Sequence, residues 1–181
     1  MPRIHPVDPA SPPEVVAAQL SATRKAMGGV PNMFATAARS PATLTALNAF
    51  FGALGKGALG GKIGERVAIA VARQNGCEYC LAAHTALGGM HGVDAGELAS
   101  AQRGVSSDPK AAAALALAVA VLRTRGKVDD VTLNVAREAG LTDGEIVEVV
   151  AHVGLNVFTN FLNNLAETEV DFPPVALEVA A

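Results

Sequence analysis

Both cysteines of the 181-residue chain fall in one nine-residue stretch, 76–84, which reads Gly-Cys-Glu-Tyr-Cys-Leu-Ala-Ala-His. Two thiols and an imidazole at this spacing could carry redox chemistry or hold a metal. On an α-helix, at about 100° per residue, Cys80 lies roughly 60° around the axis from Cys77 and His84 falls between them, so all three face one way. His84 is one turn beyond Cys80, a spacing at which an imidazole can reach a thiol. Gly76 tolerates the left-handed backbone that closes a helix, which puts Cys77 at the start of the next one. A helix start carries partial positive charge and favours thiolate over thiol. A thiolate nucleophile also needs a base, and His84 stands where it could take the proton. Glu65 is the natural residue to polarise it, because its helix leads directly into Gly76 and helices joined by so short a turn pack nearly antiparallel. By default an early-turn Glu only complements the helix dipole, so spacing alone leaves its role open.

Other readings compete for a lone Cys-x-x-Cys. A zinc knuckle built on Cys77, Cys80 and His84 needs a fourth ligand, for which Glu65, His91 or His152 are the suppliers, and ligands along one continuous helix do not readily surround a tetrahedral ion. Haem attachment wants His directly after the second Cys, where Leu81 stands. A thioredoxin-type site wants a preceding strand in a βαβ unit, and none is visible. Cysteine also packs well in an alanine-rich core with no chemistry at all. A fold-stabilising disulfide is a poor use of residues three apart, since so short a loop removes little entropy from the unfolded chain.

The elements that must position these residues are helical. Half of the residues are hydrophobic, with one Tyr, six Phe and no Trp, a composition suited to closely packed helices in one domain. The net charge of −3 gives no reason to expect nucleic acid or an anionic membrane as a partner. Charged residues make up only 17%, a scarcity that points to faces buried between subunits. The longest apolar run, 111–122, is too short to span a bilayer, and the N-terminus lacks the apolar run of a signal peptide, so a cytoplasmic protein is expected.

Residues 1–13 hold five of the ten prolines and read as an extended arm. Helical patterns follow over 13–27 and, with Leu44, Leu47, Phe51 and Leu54, after Pro41; between them Met33 and Phe34 are expected to plug the core. The glycine-rich 52–64 reads as a hinge or loop, followed by a helix over 63–75 and the cysteine helix to about 88. Asp94 with Glu97 and Thr142 with Glu145 form capping boxes, each with a hydrophobic staple (Val93 with Leu98, Leu141 with Ile146). Asp108-Pro109 opens another helix that ends near Gly126, and 129–139 is a further one closed by Gly140. The longest helix begins at the second box, with a core stripe of Val149, Val150, Val153, Val157, Phe161, Leu162 and Leu165. Its polar residues Glu148, His152, Asn156, Thr159 and Asn163 are expected to face solvent or a neighbouring subunit. The segments 67–76 and 131–140 agree at five of ten positions without a gap, by duplication or by the chance likeness of two amphipathic helices ending in glycine. No stretch alternates as a strand would. The expectation is an all-α helical bundle with a catalytic domain over 14–172 and a tail over 173–181.

The pattern of Glu65, eleven residues, Cys77-x-x-Cys80, three residues and His84 resembles the active-site signature of the alkyl hydroperoxidase D-like proteins in the carboxymuconolactone decarboxylase superfamily. Gly29-Val-Pro-Asn-Met-Phe34, Asn156-Val-Phe-Thr-Asn-Phe-Leu-Asn163 and Asp171-Phe-Pro resemble its peroxidase-related branch. The resemblance implies an all-helical chain assembled as trimers or hexamers, needing no cofactor or metal. It also implies that Cys80 attacks a hydroperoxide, Cys77 resolves the sulfenic acid as a disulfide, His84 with Glu65 relays protons, and an external dithiol protein is the reductant. The helix start by itself favours Cys77 as the thiolate, whereas His84 lies nearer Cys80. Tyr79 stands where the best-known members have a histidine, and a phenol with a pKa near 10 is no base at neutral pH; Tyr79 and His152 are expected as site walls at most. The superfamily's non-redox lactone-processing branch and a zinc-stabilised helical interaction module are the alternatives.

Overall fold

The computed structural model describes residues 1–178, and within them the chain forms nine helices and no strand. They run α1 (Glu14–Met27), α2 (Asn32–Ala37), α3 (Pro41–Leu54), α4 (Gly60–Gln74), α5 (Glu78–Met90), α6 (Ala95–Gln102), α7 (Pro109–Thr124), α8 (Asp130–Glu138) and α9 (Asp143–Ala166). The all-α expectation holds. The caps are the sequence's own: Ser40, Asp108 and Asp129 each accept a backbone N–H of the first turn, and Pro41 and Pro109 open their helices. Thr142 and Glu145 form the reciprocal box at the head of α9.

At the centre lies α4, whose residues Val67, Ala68, Ile69, Ala70, Val71 and Ala72 are all buried. It packs against α5, α6, α7 and α9, and its three alanines let those neighbours approach closely. Residues 1–13 form no helix and are pinned along the bundle, with Val7 buried and Arg3 N–H donating to the Ala166 carbonyl at 2.7 Å. At the other end Asp171 Oδ2 accepts the Asn32 N–H at 2.8 Å, tying the segment after α9 to α2. Residues 173–178 form no helix, and the rest of the expected 173–181 tail lies outside the described residues.

Three expectations need correction. The glycine-rich 52–64 is not one loop: α3 continues to Leu54 and α4 begins at Gly60. The start of α4 is held in trans by Glu148 of α9, whose carboxylate accepts the Ala58 and Leu59 N–H groups at 2.9 and 2.7 Å. The Asp94–Glu97 box does not close. Asp94 caps the Gly96 N–H, but Glu97 turns to the buried Arg66 (3.2 Å), Ser106 and Ser107. Hydrogen bonds from Ser106 and Ser107, then Arg66, hold its carboxyl down to about 2.

The third correction concerns α9, which is rotated relative to its expected stripe. Val149 and Val153 are buried as foreseen, but Phe161 and Leu165 are 58% and 59% exposed and Val150 also faces outward. Asn156, Thr159, Asn160 and Asn163 are buried instead. At 24 residues α9 is long and apolar enough to cross a membrane by length and composition, a property hidden when the run 111–122 is judged alone.

The repeated segments end in the same backbone turn. Gly76 N–H donates to the Arg73 carbonyl and Cys77 N–H to that of Ala72; Gly140 and Leu141 make the matching pair with Arg137 and Ala136. Both glycines have positive φ, 62° and 91°, as this helix ending requires.

Candidate active site

The turn at Gly76 makes Cys77 the N-cap of α5, and its sulfur accepts the Cys80 N–H at 3.3 Å. Cys77 and Cys80 are joined as a disulfide. One turn on, His84 Nδ1 lies 2.7 Å from Glu65 Oε2 of α4, so the carboxylate fixes the ring and leaves Nε2 as its free nitrogen. The near-antiparallel packing of α4 on α5 thus brings together all four residues singled out from sequence.

The two sulfurs differ in access. Cys80, 2% exposed, lines a cavity of about 320 Å³ together with Glu65 and His84, whereas Cys77, fully buried, is not part of its wall. Met27, Phe34, Phe51, Leu87 and Phe172 make most of this wall apolar, and no Lys or Arg contributes to it. The cavity therefore suits an apolar substrate offering a small polar reacting group to the sulfur.

Tyr79 is a wall residue. It accepts the Met33 N–H at 3.1 Å and its ring packs edge-on against Phe172, centroids 5.8 Å apart. Burial, with the Asp171 carboxylate nearby, pushes the phenol further up, so it stays protonated at any physiological pH.

His152 does not line the cysteine cavity. It lies in a second cavity of about 180 Å³ that Glu65 and His84 also wall, with His91 and Asn156. A Cβ added at Gly64 would stand 2.8 Å from the His152 ring, so the absent side chain is what lets His152 approach α4 next to Glu65. Burial pushes the His152 pKa down, the neighbouring Glu65 opposing and His84 reinforcing the shift. Among the described residues no group of three or more His, Cys, Asp or Glu side chains is arranged to hold a metal ion.

Sequence reasoning missed Asn163. It reaches the site from α9, its Nδ2 3.2 Å from Cys80 Sγ, and is 3% exposed. The available signal was the alternation on α9 itself: Asn156, Thr159 and Asn163 share one face and Val147, Phe158 and Phe161 the other, and either face could have been the inner one.

Comparison with known proteins agrees with this geometry. Residues 41–119, which include Glu65, both cysteines and His84, match the Carboxymuconolactone decarboxylase family. No curated protein matches the sequence significantly. Among solved structures, a peroxidase-related protein with an alkylhydroperoxidase AhpD core from Ralstonia eutropha JMP134 superposes with a TM-score of 0.83 at 24% identity, over 94% of this chain and 92% of that one. A peroxidase-related protein from Silicibacter sp. TM1040 gives 0.81 at 23%, over 93% and 91%. The debrominase Bmp8 in complex with 2,3,4-tribromopyrrole gives 0.76 at 17%, over 93% and 91%. At these identities the likeness establishes the fold.

Proposed function

We propose that the chain, which matches the Carboxymuconolactone decarboxylase family over residues 41–119 and shares the fold of an alkylhydroperoxidase AhpD core, is a dithiol hydroperoxide reductase. The observation that supports this reading is the asymmetry of the disulfide: Cys80 alone meets an apolar cavity, beside the His84–Glu65 pair, with Cys77 bonded behind it. In the reduced protein the Cys80 thiolate attacks the terminal oxygen of a hydroperoxide. The O–O bond breaks, Cys80 becomes a sulfenic acid, and the departing alkoxide takes a proton from His84 to leave as an alcohol. Glu65 stabilises the imidazolium before that transfer. The Cys77 thiolate then attacks the sulfenic sulfur, expelling hydroxide that leaves as water, and the disulfide forms. Two thiols of an external dithiol protein restore the pair.

The lining predicts an organic rather than an inorganic peroxide, and the outward apolar residues of α9 support assembly into a homo-oligomer, a trimer or hexamer. Thiol titration of the reduced chain before and after one equivalent of cumene hydroperoxide tests the reading. Loss of two thiols per chain is expected, and Cys80→Ser should consume no peroxide; full consumption by that variant would end the assignment.

A second reading rests on the cavity's size and apolar wall, which would also admit a halogenated aromatic ring. There the dithiol would supply two electrons to replace carbon–halogen by carbon–hydrogen, releasing halide. Halide release from tribromopyrrole in preference to peroxide consumption would select it. A non-redox lactone decarboxylase would instead retain activity with both thiols blocked.

A further inference from the structure

We propose that Asn163 is a further catalytic residue, its carboxamide N–H holding Cys80 as a thiolate and so deciding which sulfur attacks. The proposal rests on the dithiol reading and deepens it. Burial raises a thiol's pKa, and Cys80, a residue only 2% exposed, needs compensation to ionise. No Lys or Arg lines the cavity, and His84, held through Nδ1 by Glu65 and supplying the proton for the departing alkoxide, makes no hydrogen bond to Cys80 Sγ among the described residues. The first turn of α5 directs the Cys80 N–H to the other sulfur, Cys77. The donor left for Cys80 Sγ is Asn163 Nδ2 at 3.2 Å.

The rest of the carboxamide argues against a purely structural role. Asn163 Oδ1 is buried with no hydrogen-bond partner among the described residues, an arrangement that costs stability. The only hydrogen bond from this side chain among the described residues goes to the sulfur. Asn160, one turn of the same face away, also leaves one buried atom, Nδ2, without a partner among the described residues, but its Oδ1 accepts from Asn75 Nδ2 at 2.8 Å as a tie between helices, so what sets Asn163 apart is that its one partner is the sulfur.

Each sulfur thus has its own donor, and each donor serves one half of the cycle. In the oxidative half, Asn163 holds the Cys80 thiolate that attacks peroxide. In the reductive half, an external thiolate reaches the accessible sulfur, Cys80. The S–S bond breaks with its electron pair passing to Cys77 Sγ, which the Cys80 N–H stabilises as leaving group. The reductant's second thiolate then attacks its own sulfur in the mixed disulfide, and Cys80 departs as a thiolate, again on Asn163. The reductant ends as a disulfide and the chain as a dithiol.

The experiment reads Cys80 ionisation directly, as the pH dependence of iodoacetamide alkylation in the full-length reduced chain carrying Cys77→Ser. Asn163→Leu, close in shape but without a donor, should raise the midpoint by about one to two pH units, the scale of one hydrogen bond to a charged acceptor. Asn163→Asp should raise it further by placing a carboxylate beside the thiolate, and Asn163→Ser, which keeps a donor, should fall between wild type and Asn163→Leu. In the reciprocal Cys80→Ser background, Asn163→Leu should leave the Cys77 midpoint where it was. An unchanged Cys80 midpoint in folded Asn163→Leu would overturn the proposal; if that variant does not fold, an unchanged midpoint in Asn163→Asp does so. The alkylation assay contains no peroxide. Thiols of the wild type that survive peroxide would therefore sink the peroxidase reading, while the midpoint shift tests Asn163 by itself.

Discussion

The two helix–glycine–helix turns, at Gly76 and at Gly140, share a backbone ending and diverge at the next residue. After Gly76 comes Cys77, itself the cap of α5, whose large sulfur is a weak acceptor for the Cys80 N–H. After Gly140 comes Leu141, buried in the core, and the cap passes to Thr142, locked reciprocally with Glu145 and braced by Lys110 at 2.6 Å. One turn leaves its first amide to a reactive atom, and the other satisfies its amides with oxygen. The wider surroundings differ as well: α5 folds back on α4, whereas α8 packs on α7 and α9 on both α4 and α7. The likeness of 67–76 to 131–140 is thus a shared way of ending a helix, and chemistry depends on what each turn delivers.

The sharpest way to break this contrast is to make the first turn resemble the second. Cys77→Thr supplies an oxygen cap, and should preserve or slightly raise the melting temperature while abolishing disulfide formation, read as no loss of paired thiols on peroxide addition. Next in size, Leu141→Ala empties a buried site and should cost about 2–5 kcal/mol in urea denaturation, leaving thiol reactivity of the folded chain intact. Gly76→Ala and Gly140→Ala meet open space, so each should cost only the left-handed backbone strain, about 1–2 kcal/mol. Values that differ clearly between the two would show that the turns are not equivalent. Thr142→Ala should cost about 1 kcal/mol, the loss of one cap.

The smallest expected effect is a pH dependence from His152, which ties α9 to α4. Its folded pKa lies below the ordinary 6.5, so the unfolded chain binds the proton first. Its neutral form is fully compatible with the fold above about pH 6.5, and stability is lost as pH falls from there through the folded value. The wild type should lose stability on acidification that His152→Gln keeps, measured as the difference between their urea midpoints at pH 8 and pH 5.5.

Much of the scaffold was legible because its signals are local. Ser40-Pro41, Asp108-Pro109 and the Thr142–Glu145 box announce helix starts within four residues, and Gly76 announces an end. The Glu65–His84 pair was within reach for the same reason, since a short turn forces α4 and α5 together. What stayed hidden depends on distant partners. The start of α4 is capped by Glu148, some ninety positions away, and Glu97 forsakes its own helix for Arg66. On α9 periodicity revealed two faces but not which was inner, because a buried asparagine–threonine row, of which Asn163 meets the sulfur, and a valine–phenylalanine row facing outward reverse the usual preference.

The placement of the sulfurs in the first turn of α5 has a last consequence. Their Cα atoms are 5.4 Å apart, close to the about 5 Å that any helix sets between residues three apart. In the proposed dithiol cycle, opening and closing the bond there would ask little of the backbone path, and the outline of the molecule would carry little sign of which form it is in. The reductant proposed for that cycle would then have to find the oxidised form at the sulfur itself, through the mouth of the pocket.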